Sequence, residues 1–318
     1  MHLPEAKDLA AARQALAGRV ERTPILSAET LDARAGAQLF FKAECLQRTG
    51  SFKVRGATNK IRALGPADLA RGLITVSAGN AALGAAHAAR AVGAPLVVVM
   101  PENAVESKLR AVAALGARVE KDGVRNASEA FARLHALIEQ HGYTLVHPFD
   151  DPLVIAGAGT AAAELLDECP DLECLVVPAS GGGLLAGTLV AAQALAPRVE
   201  VFGVQPTGAD GIVRSLAAGT PTAPPHIDTV ADGLTAPKPG ALNFEIIRRF
   251  AAGVATVPDA DILAAMRLLI RELRVIVEPA AATALAGVLA DRRFQGRRIG
   301  IILSGSNAAP ERIREVLA

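Results

Sequence analysis

The chain has 318 residues, a formal net charge of +1, just over half of its residues apolar and only 3% aromatic. That length allows two domains or one large α/β unit with a deep core. A balanced charge, one Tyr and no Trp leave neither the basic footprint nor the stacking aromatics of a nucleic-acid binder.

No apolar run reaches about 18 residues, so no membrane span is expected, and the N-terminal Met1-His2-Leu3-Pro4-Glu5-Ala6-Lys7 lacks the apolar core of a signal peptide. Cys45, Cys169 and Cys174 are odd in number and show no zinc-ligand spacing. Together these features predict a soluble cytoplasmic protein with reduced thiols.

In chain order, short β-branched runs predict strands at 39–43, 73–77, 96–100, 117–120, 143–147, 174–178, 200–205, 254–257 and 299–303. Between them lie amphipathic or wholly apolar helical stretches such as 81–92, 105–115, 127–141, 157–168, 184–196 and 260–273. Continuous apolar strands alternating with helices indicate an α/β protein whose parallel sheets are covered on both faces. Ligands of such sheets gather at the carboxyl ends of the strands. The irregular stretch from Gly219 to Gly240 carries five prolines and an embedded Ala231-Asp232-Gly233. Its length favours a covering loop over an interdomain hinge.

Four strand-to-helix turns carry unusual residues. In Thr49-Gly50-Ser51-Phe52-Lys53-Val54-Arg55-Gly56-Ala57, Gly50 breaks the chain and Ser51 is positioned to cap a helix whose first turn holds Lys53. The positive helix end would lower the pKa of that amine and favour its neutral, nucleophilic form. Read alone, Lys53 is more readily a solvated surface lysine, and the rest of the chain reverses that balance.

The turn Ser77-Ala78-Gly79-Asn80-Ala81 follows a buried strand and can expose backbone N–H groups to an anion, or can simply use Asn80 as a cap. Ser180-Gly181-Gly182-Gly183-Leu184 follows Leu175-Val176-Val177-Pro178. Three consecutive glycines are entropically costly, and they suit a phosphate cradle of backbone N–H groups at a helix start. Ser304-Gly305-Ser306-Asn307 ends the last strand, where the Ser304 hydroxyl can meet a ring nitrogen or cap a helix. Gly157-Ala158-Gly159-Thr160 lacks the third glycine of a dinucleotide fingerprint and reads as helix-start packing. A nucleophilic lysine, a phosphate cradle and a hydroxyl for a ring nitrogen are the three grips that pyridoxal 5'-phosphate requires.

These motifs, with Lys42-Ala43-Glu44, Val99-Met100-Pro101, His147-Pro148-Phe149-Asp150, Ile155-Ala156-Gly157 and Val277-Glu278-Pro279-Ala280, run in order from about Ala17 to Asn307. In that order and spacing the chain resembles the fold-type II pyridoxal-phosphate enzymes of the serine/threonine dehydratase and serine racemase family. The resemblance implies two open, mostly parallel twisted sheets flanked by helices. It implies a large cofactor-binding domain (1–71 plus 149–318), a small mobile domain (72–148), no C-terminal regulatory domain, and a homodimer.

It further implies that Lys53 is the catalytic, cofactor-bearing lysine and that Phe52 packs beside the ring. Asn80 would bond the phenolic oxygen, Ser180, Gly181, Gly182, Gly183 and Leu184 would hold the phosphate, and Ser304 would meet the ring nitrogen. Gly233 and Glu278 complete the cofactor site, and Ser77, Ala78, Gly79, Asn80 and Ala81 take the substrate. The implied reaction is β-elimination of water from L-threonine, L-serine or a related 3-hydroxy amino acid, giving a 2-oxo acid and ammonia. The alternatives are serine racemisation or a lyase for a bulkier substrate such as phenylserine.

Three positions compared with the family pattern sharpen these expectations. Metal-activated relatives carry acids where this chain has Gln205 and Gly211, so no divalent metal is expected despite the neighbouring Asp210. Ala81 and Leu83 replace a common His and Gln, and no Lys or Arg lies in that turn, which predicts a substrate with an uncharged side chain. Racemases of the family place a serine hydroxyl at the position of Ala78, so elimination is expected to prevail over racemisation.

Overall fold

Two separate parallel sheets organise the chain. The computed structural model describes residues 3–318 except 103, 105 and 126. Its larger sheet has the order β1-β2-β10-β7-β8-β9, built from Ile25–Leu26, Gln38–Lys42, Arg298–Ile302, Cys174–Pro178, Glu200–Pro206 and Gly253–Val257 respectively. Only the β1–β2 pair is antiparallel. The smaller sheet has the order β5-β4-β3-β6, from Arg118–Glu120, Leu96–Val99, Leu73–Val76 and Thr144–Leu145, all parallel. Strands β3, β4 and β7 are buried at every position, as expected of sheets sandwiched between helices.

The expected strands are all present within a residue or two, except that 143–147 contributes only the two residues of β6. The helices expected at 81–92, 105–115, 127–141, 184–196 and 260–273 start and stop within a residue of Asn80–Ala91, Glu106–Ala114, Ala127–His141, Gly183–Leu195 and Asp259–Leu273. The helix expected at 157–168 begins earlier, at Pro152, where Asp151 caps it by accepting from the N–H groups of Leu153 and Val154. Gly157 and Gly159 therefore lie inside that helix and not at its start. A Cβ on Gly157 would sit 2.8 Å from the Arg55 carbonyl oxygen, and one on Gly159 would sit 2.5 Å from that of Gly187. These glycines let helix Pro152–Glu168 touch the backbones of helices Lys53–Arg62 and Gly183–Leu195.

Gly84 plays the same part for the smaller sheet. A Cβ there would lie 2.9 Å from the Lys53 carbonyl carbon and the Val54 nitrogen. Helix Asn80–Ala91 is thereby pressed against the first turn of helix Lys53–Arg62.

Beneath that first turn lies a closed network of buried charges. The fully buried Arg55 donates to both carboxylate oxygens of Glu44 (2.7 and 2.8 Å), to both of Glu164 (2.8 and 2.9 Å), to Thr160 and to the Glu21 carbonyl. Lys42, also fully buried, pairs with Glu164 at 2.7 Å and donates to the Thr23 carbonyl. Thr23 in turn donates to Glu44. Two cations meet two carboxylates, and nearly every polar atom has a partner. Such a network fixes geometry more surely than it adds net stability.

Candidate active site

The Lys53 turn is bound to the end of β10. The Phe52 N–H donates to the Ser304 carbonyl (3.0 Å), the Ser306 N–H to the Gly50 carbonyl (2.8 Å), and the Asn307 amide to the Thr49 carbonyl (2.9 Å). Gly50 has φ +70°, a left-handed conformation that favours glycine. The helix itself begins at Lys53, with Phe52 at the N-cap and no side-chain cap. Ser51 is not the cap expected from the sequence: its hydroxyl is buried with no hydrogen-bond partner. It faces a crowded junction where the Ser51–Gly305 bridge closes the turn.

Lys53 projects into a cavity of about 560 Å³ at the carboxyl ends of the strands of both sheets. Its amine donates to the Pro148 carbonyl at 2.8 Å and lies 5.2 Å from the centre of the Phe52 ring. Lys53 is partly accessible, yet the protein surrounds it closely enough that burial lowers its pKa to about 8, with Glu278 opposing the shift. The cause is burial first, where the sequence reading gave the helix dipole.

The carbonyl that receives Lys53 is held by an imidazole. His147 Nδ1 accepts from the N–H groups of Phe149 (3.3 Å) and Asp150 (2.8 Å), which leaves the ring proton on Nε2. Burial pushes His147 down to about 4, so the ring stays neutral and the turn keeps its shape at physiological pH.

The glycine run forms the opposite wall. Gly182 has φ 94° and is the N-cap of helix Gly183–Leu195. A Cβ on Gly181 would sit 2.7 Å from the Phe149 ring, and one on Gly182 would sit 2.8 Å from Asn243 Cβ. The run is braced from behind, since the Gly181 carbonyl accepts from Asn243 Nδ2 (2.8 Å) and from the Gly240 N–H (3.0 Å). Ser180 Oγ accepts from the Ala236 N–H, tying the proline-rich stretch to the cradle. Residues 232–237 of that stretch line the cavity, which makes it the covering loop expected from its length.

Asn80 opens helix Asn80–Ala91 without capping it. Its amide donates to Glu278 (2.7 Å) and accepts from Asn307 (2.7 Å), joining the smaller sheet to both turns of the larger one. Ser304 caps no helix either, since the next one begins at Pro310. Glu278 is buried, and burial followed by repulsion from Asp232 raises its pKa to about 7.

Phe52, Lys53, Ser77, Ala78, Gly79, Asn80, Ala81, Ser180, Gly181, Gly182, Gly183, Leu184, Gly233, Glu278 and Ser304 all line this one cavity. Leu83 does not: it packs into the core of the smaller sheet, so of the two altered positions only Ala81 shapes the cavity wall. Phe149, Phe131, Asp232 and Lys108 also line the cavity, and none of them was singled out as a site residue from the sequence. Phe149 and Asp232 belong to the His147-Pro148-Phe149-Asp150 and Ala231-Asp232-Gly233 motifs, whereas Lys108 is one of several charges on an ordinary helix. Away from the cavity, Gln205 Oε1 accepts from the N–H groups of Ile212 and Val213, and Asp210 pairs with Arg214 at 2.6 Å.

The arrangement suits a phosphorylated pyridine aldehyde. The Gly181–Gly183 backbone at a helix start can take a phosphate where any Cβ would collide. A lysine with a pKa of about 8 can condense with an aldehyde, and the Ser304 hydroxyl on the cavity wall can meet a ring nitrogen.

Comparison with known proteins agrees. Residues 16–305 match the family model described as pyridoxal-phosphate dependent enzyme. The chain is 39% identical to a serine racemase of Dictyostelium discoideum, over 98% of this chain and 97% of that one. It is also 39% identical to an L-threo-3-hydroxyaspartate ammonia-lyase of a Pseudomonas species, over 100% and 99%. Among solved structures, maize serine racemase superposes with a TM-score of 0.93 at 35% identity, covering 99% of this chain and 97% of that one. With cavity, cradle and lysine in this arrangement and the match spanning nearly its whole length, the chain belongs to the pyridoxal-phosphate dependent enzymes.

Proposed function

We propose that the protein is an ammonia-lyase that removes water from L-threonine, L-serine or a related 3-hydroxy amino acid, yielding a 2-oxo acid and ammonia. The observation that carries this reading is the convergence of Lys53, the Gly181–Gly183 cradle and Ser304 on one cavity. Bound pyridoxal phosphate supplies an electron sink for the charge that develops at the substrate α-carbon.

The protein's own groups do the rest. Ser180 to Leu184 would hold the phosphate, with the dipole of helix Gly183–Leu195 behind it. Phe52 would pack beside the ring, Asn80 would donate to the phenolic oxygen, and Gly233 and Glu278 close the cavity near Ser304. The turn Ser77 to Ala81 receives the substrate carboxylate on backbone N–H groups. Ser77 Oγ accepts from the Gly79 N–H (3.1 Å), which stiffens that turn. The neutral Lys53 amine takes the α-proton, the electron pair of that C–H bond expels the β-hydroxyl, and the Lys53 ammonium hands its proton to the departing oxygen, which leaves as water. The enamine released adds water and loses ammonia.

Ala78 favours elimination over racemisation. A racemase needs a second acid–base group on the face opposite its lysine, and a methyl group cannot exchange a proton. The likeness to serine racemase keeps that activity as the second reading. The same proposal includes a small domain, 72–148, that closes over the cavity, a homodimer, a cytoplasmic setting, and no requirement for a divalent metal.

The test is a 2-oxo acid assay on the cofactor-loaded protein against L- and D-serine, threonine, phenylserine and 3-hydroxyaspartate, before and after EDTA. Turnover of an L-3-hydroxy amino acid without added metal is expected. Failure to release a 2-oxo acid from any of them would overturn the reading.

A further inference from the structure

The cavity holds a cation that the Ser77–Ala81 turn lacks. Lys108, on helix Glu106–Ala114, lines it together with Lys53, and no other Lys or Arg does so among the described residues. Its side chain is only 24% exposed, and its Nζ lies 2.5 Å from Asp232 Oδ2, across the cavity on the short turn Asp232–Leu234. A free lysine here would be a ready partner for a second substrate carboxylate. It is not free.

We infer that Asp232 sets the charge selectivity of the site: by holding Lys108 it denies a dicarboxylic 3-hydroxy amino acid its cation and keeps the enzyme on substrates with uncharged side chains. This deepens the lyase reading and rests on it for the identity of the substrates. The substrate's own α-carboxylate is taken by the Ser77–Ala81 turn. A second carboxylate would have to strip Lys108 from Asp232, leaving the two carboxylates side by side with Glu278 close behind. Lys53 offers little help, because the reaction uses its neutral form. An unpaired carboxylate in a partly closed site is costly, and like charges at short range add to that cost. The Lys108–Asp232 pair also joins the smaller sheet to the covering loop, so a substrate that breaks it opens the wall of its own cavity.

The experiment compares cofactor-loaded wild type, Asp232→Asn, and the double variant Asp232→Asn/Lys108→Met. Asp232 is largely exposed, so the single substitution should leave folding intact, which circular dichroism checks. The quantity read is kcat/KM for L-threo-3-hydroxyaspartate divided by kcat/KM for L-threonine. Releasing Lys108 should raise that ratio by about tenfold or more, the range of a charge-assisted hydrogen bond, and removing Lys108 as well should erase the gain. A ratio unchanged in Asp232→Asn, or a gain that survives in the double variant, overturns the inference. Calorimetric affinity for succinate relative to butyrate should follow the same pattern and needs no turnover. An inactive wild type would therefore defeat the lyase reading, while the succinate-to-butyrate ratio would still decide the role of Asp232.

Discussion

Lys53 and Arg55 stand two residues apart on one helix, and the protein treats their charges in opposite ways. Arg55 is buried among Glu44, Glu164 and Thr160, and the two carboxylates raise its pKa despite its burial. Lys53 has one carbonyl partner, and burial lowers it to about 8. The network below is complete and electrically balanced, so it has nothing left to offer a ligand. The cavity above keeps polar capacity in reserve: an amine near neutrality, a carboxyl raised to about 7 and a cradle of glycines. A satisfied buried charge holds structure in place, and an unsatisfied one is available for chemistry.

Four changes would break or sharpen that contrast. The largest effect is expected for Lys53→Ala, which should lower 2-oxo acid formation by about 10⁴-fold or more, the upper range for a positioned acid–base group. Its urea midpoint should barely move, and borohydride should no longer fix a pyridoxyl label. A label found by peptide mapping on a different lysine of the wild type would defeat the assignment.

Arg55→Met should do the reverse. It strands Glu44 and Glu164, and a loss of about 3–5 kcal/mol in urea denaturation is expected for breaking a buried pair. A loss under about 1 kcal/mol would mean that the network is not the anchor described here.

Glu278→Gln tests the reserve carboxyl through pH. Between 4.5 and about 7 the folded carboxyl keeps a proton that the unfolded one has released, so its contribution to stability falls as pH rises through that window. Glutamine has no such proton. The cofactor-free variant should therefore gain on wild type from pH 4.5 to 7, by on the order of 3 kcal/mol. His147, held down near 4, acts in the opposite sense in both proteins and cancels in the difference. Urea melts at a series of pH values read it, and a flat difference would show that burial does not keep a proton on Glu278.

The smallest effect is expected for Ala78→Ser. A hydroxyl on the second face should raise the share of D-amino acid formed from L-serine by roughly tenfold, well short of a fully positioned acid–base group. Chiral chromatography at partial conversion measures it, and an unchanged share would remove the two-face explanation for elimination.

Much of this was legible in the sequence, for local reasons. The β-branched runs that became β3, β4 and β7 are buried on both faces and needed no partner to be recognised. The glycine run and the Lys53 turn are punctuation that a single stretch of chain reveals. What escaped depended on partners distant in sequence. Ser51 has the chemistry of a cap, but the bridge to Gly305 moves the helix start past it. Gly157 and Gly159 mark helix crossings whose other halves, Gly56 and Gly187, are visible only in three dimensions. Leu83 points into a core and not into the cavity. Lys108 gave no signal, because only the packing of its helix against the covering loop turns a surface-type lysine inward. It was the family resemblance, spanning all the turns at once, that tied separate local motifs to one site.

The contact of Gly84 with the Lys53 backbone bears on any effort to re-engineer the enzyme. Position 81 faces the cavity and position 83 a core, so each tolerates redesign on its own terms. Position 84, three residues from the cavity wall on the same helix, has no room even for a methyl group beside the carbonyl of Lys53. A mutagenesis library that sweeps this helix and the turn before it for new substrates should randomise 78 and 81, recruit 108 and 232 from across the cavity, and hold 84 constant. Otherwise most of its members would lose alignment of the amine before substrate preference was ever sampled.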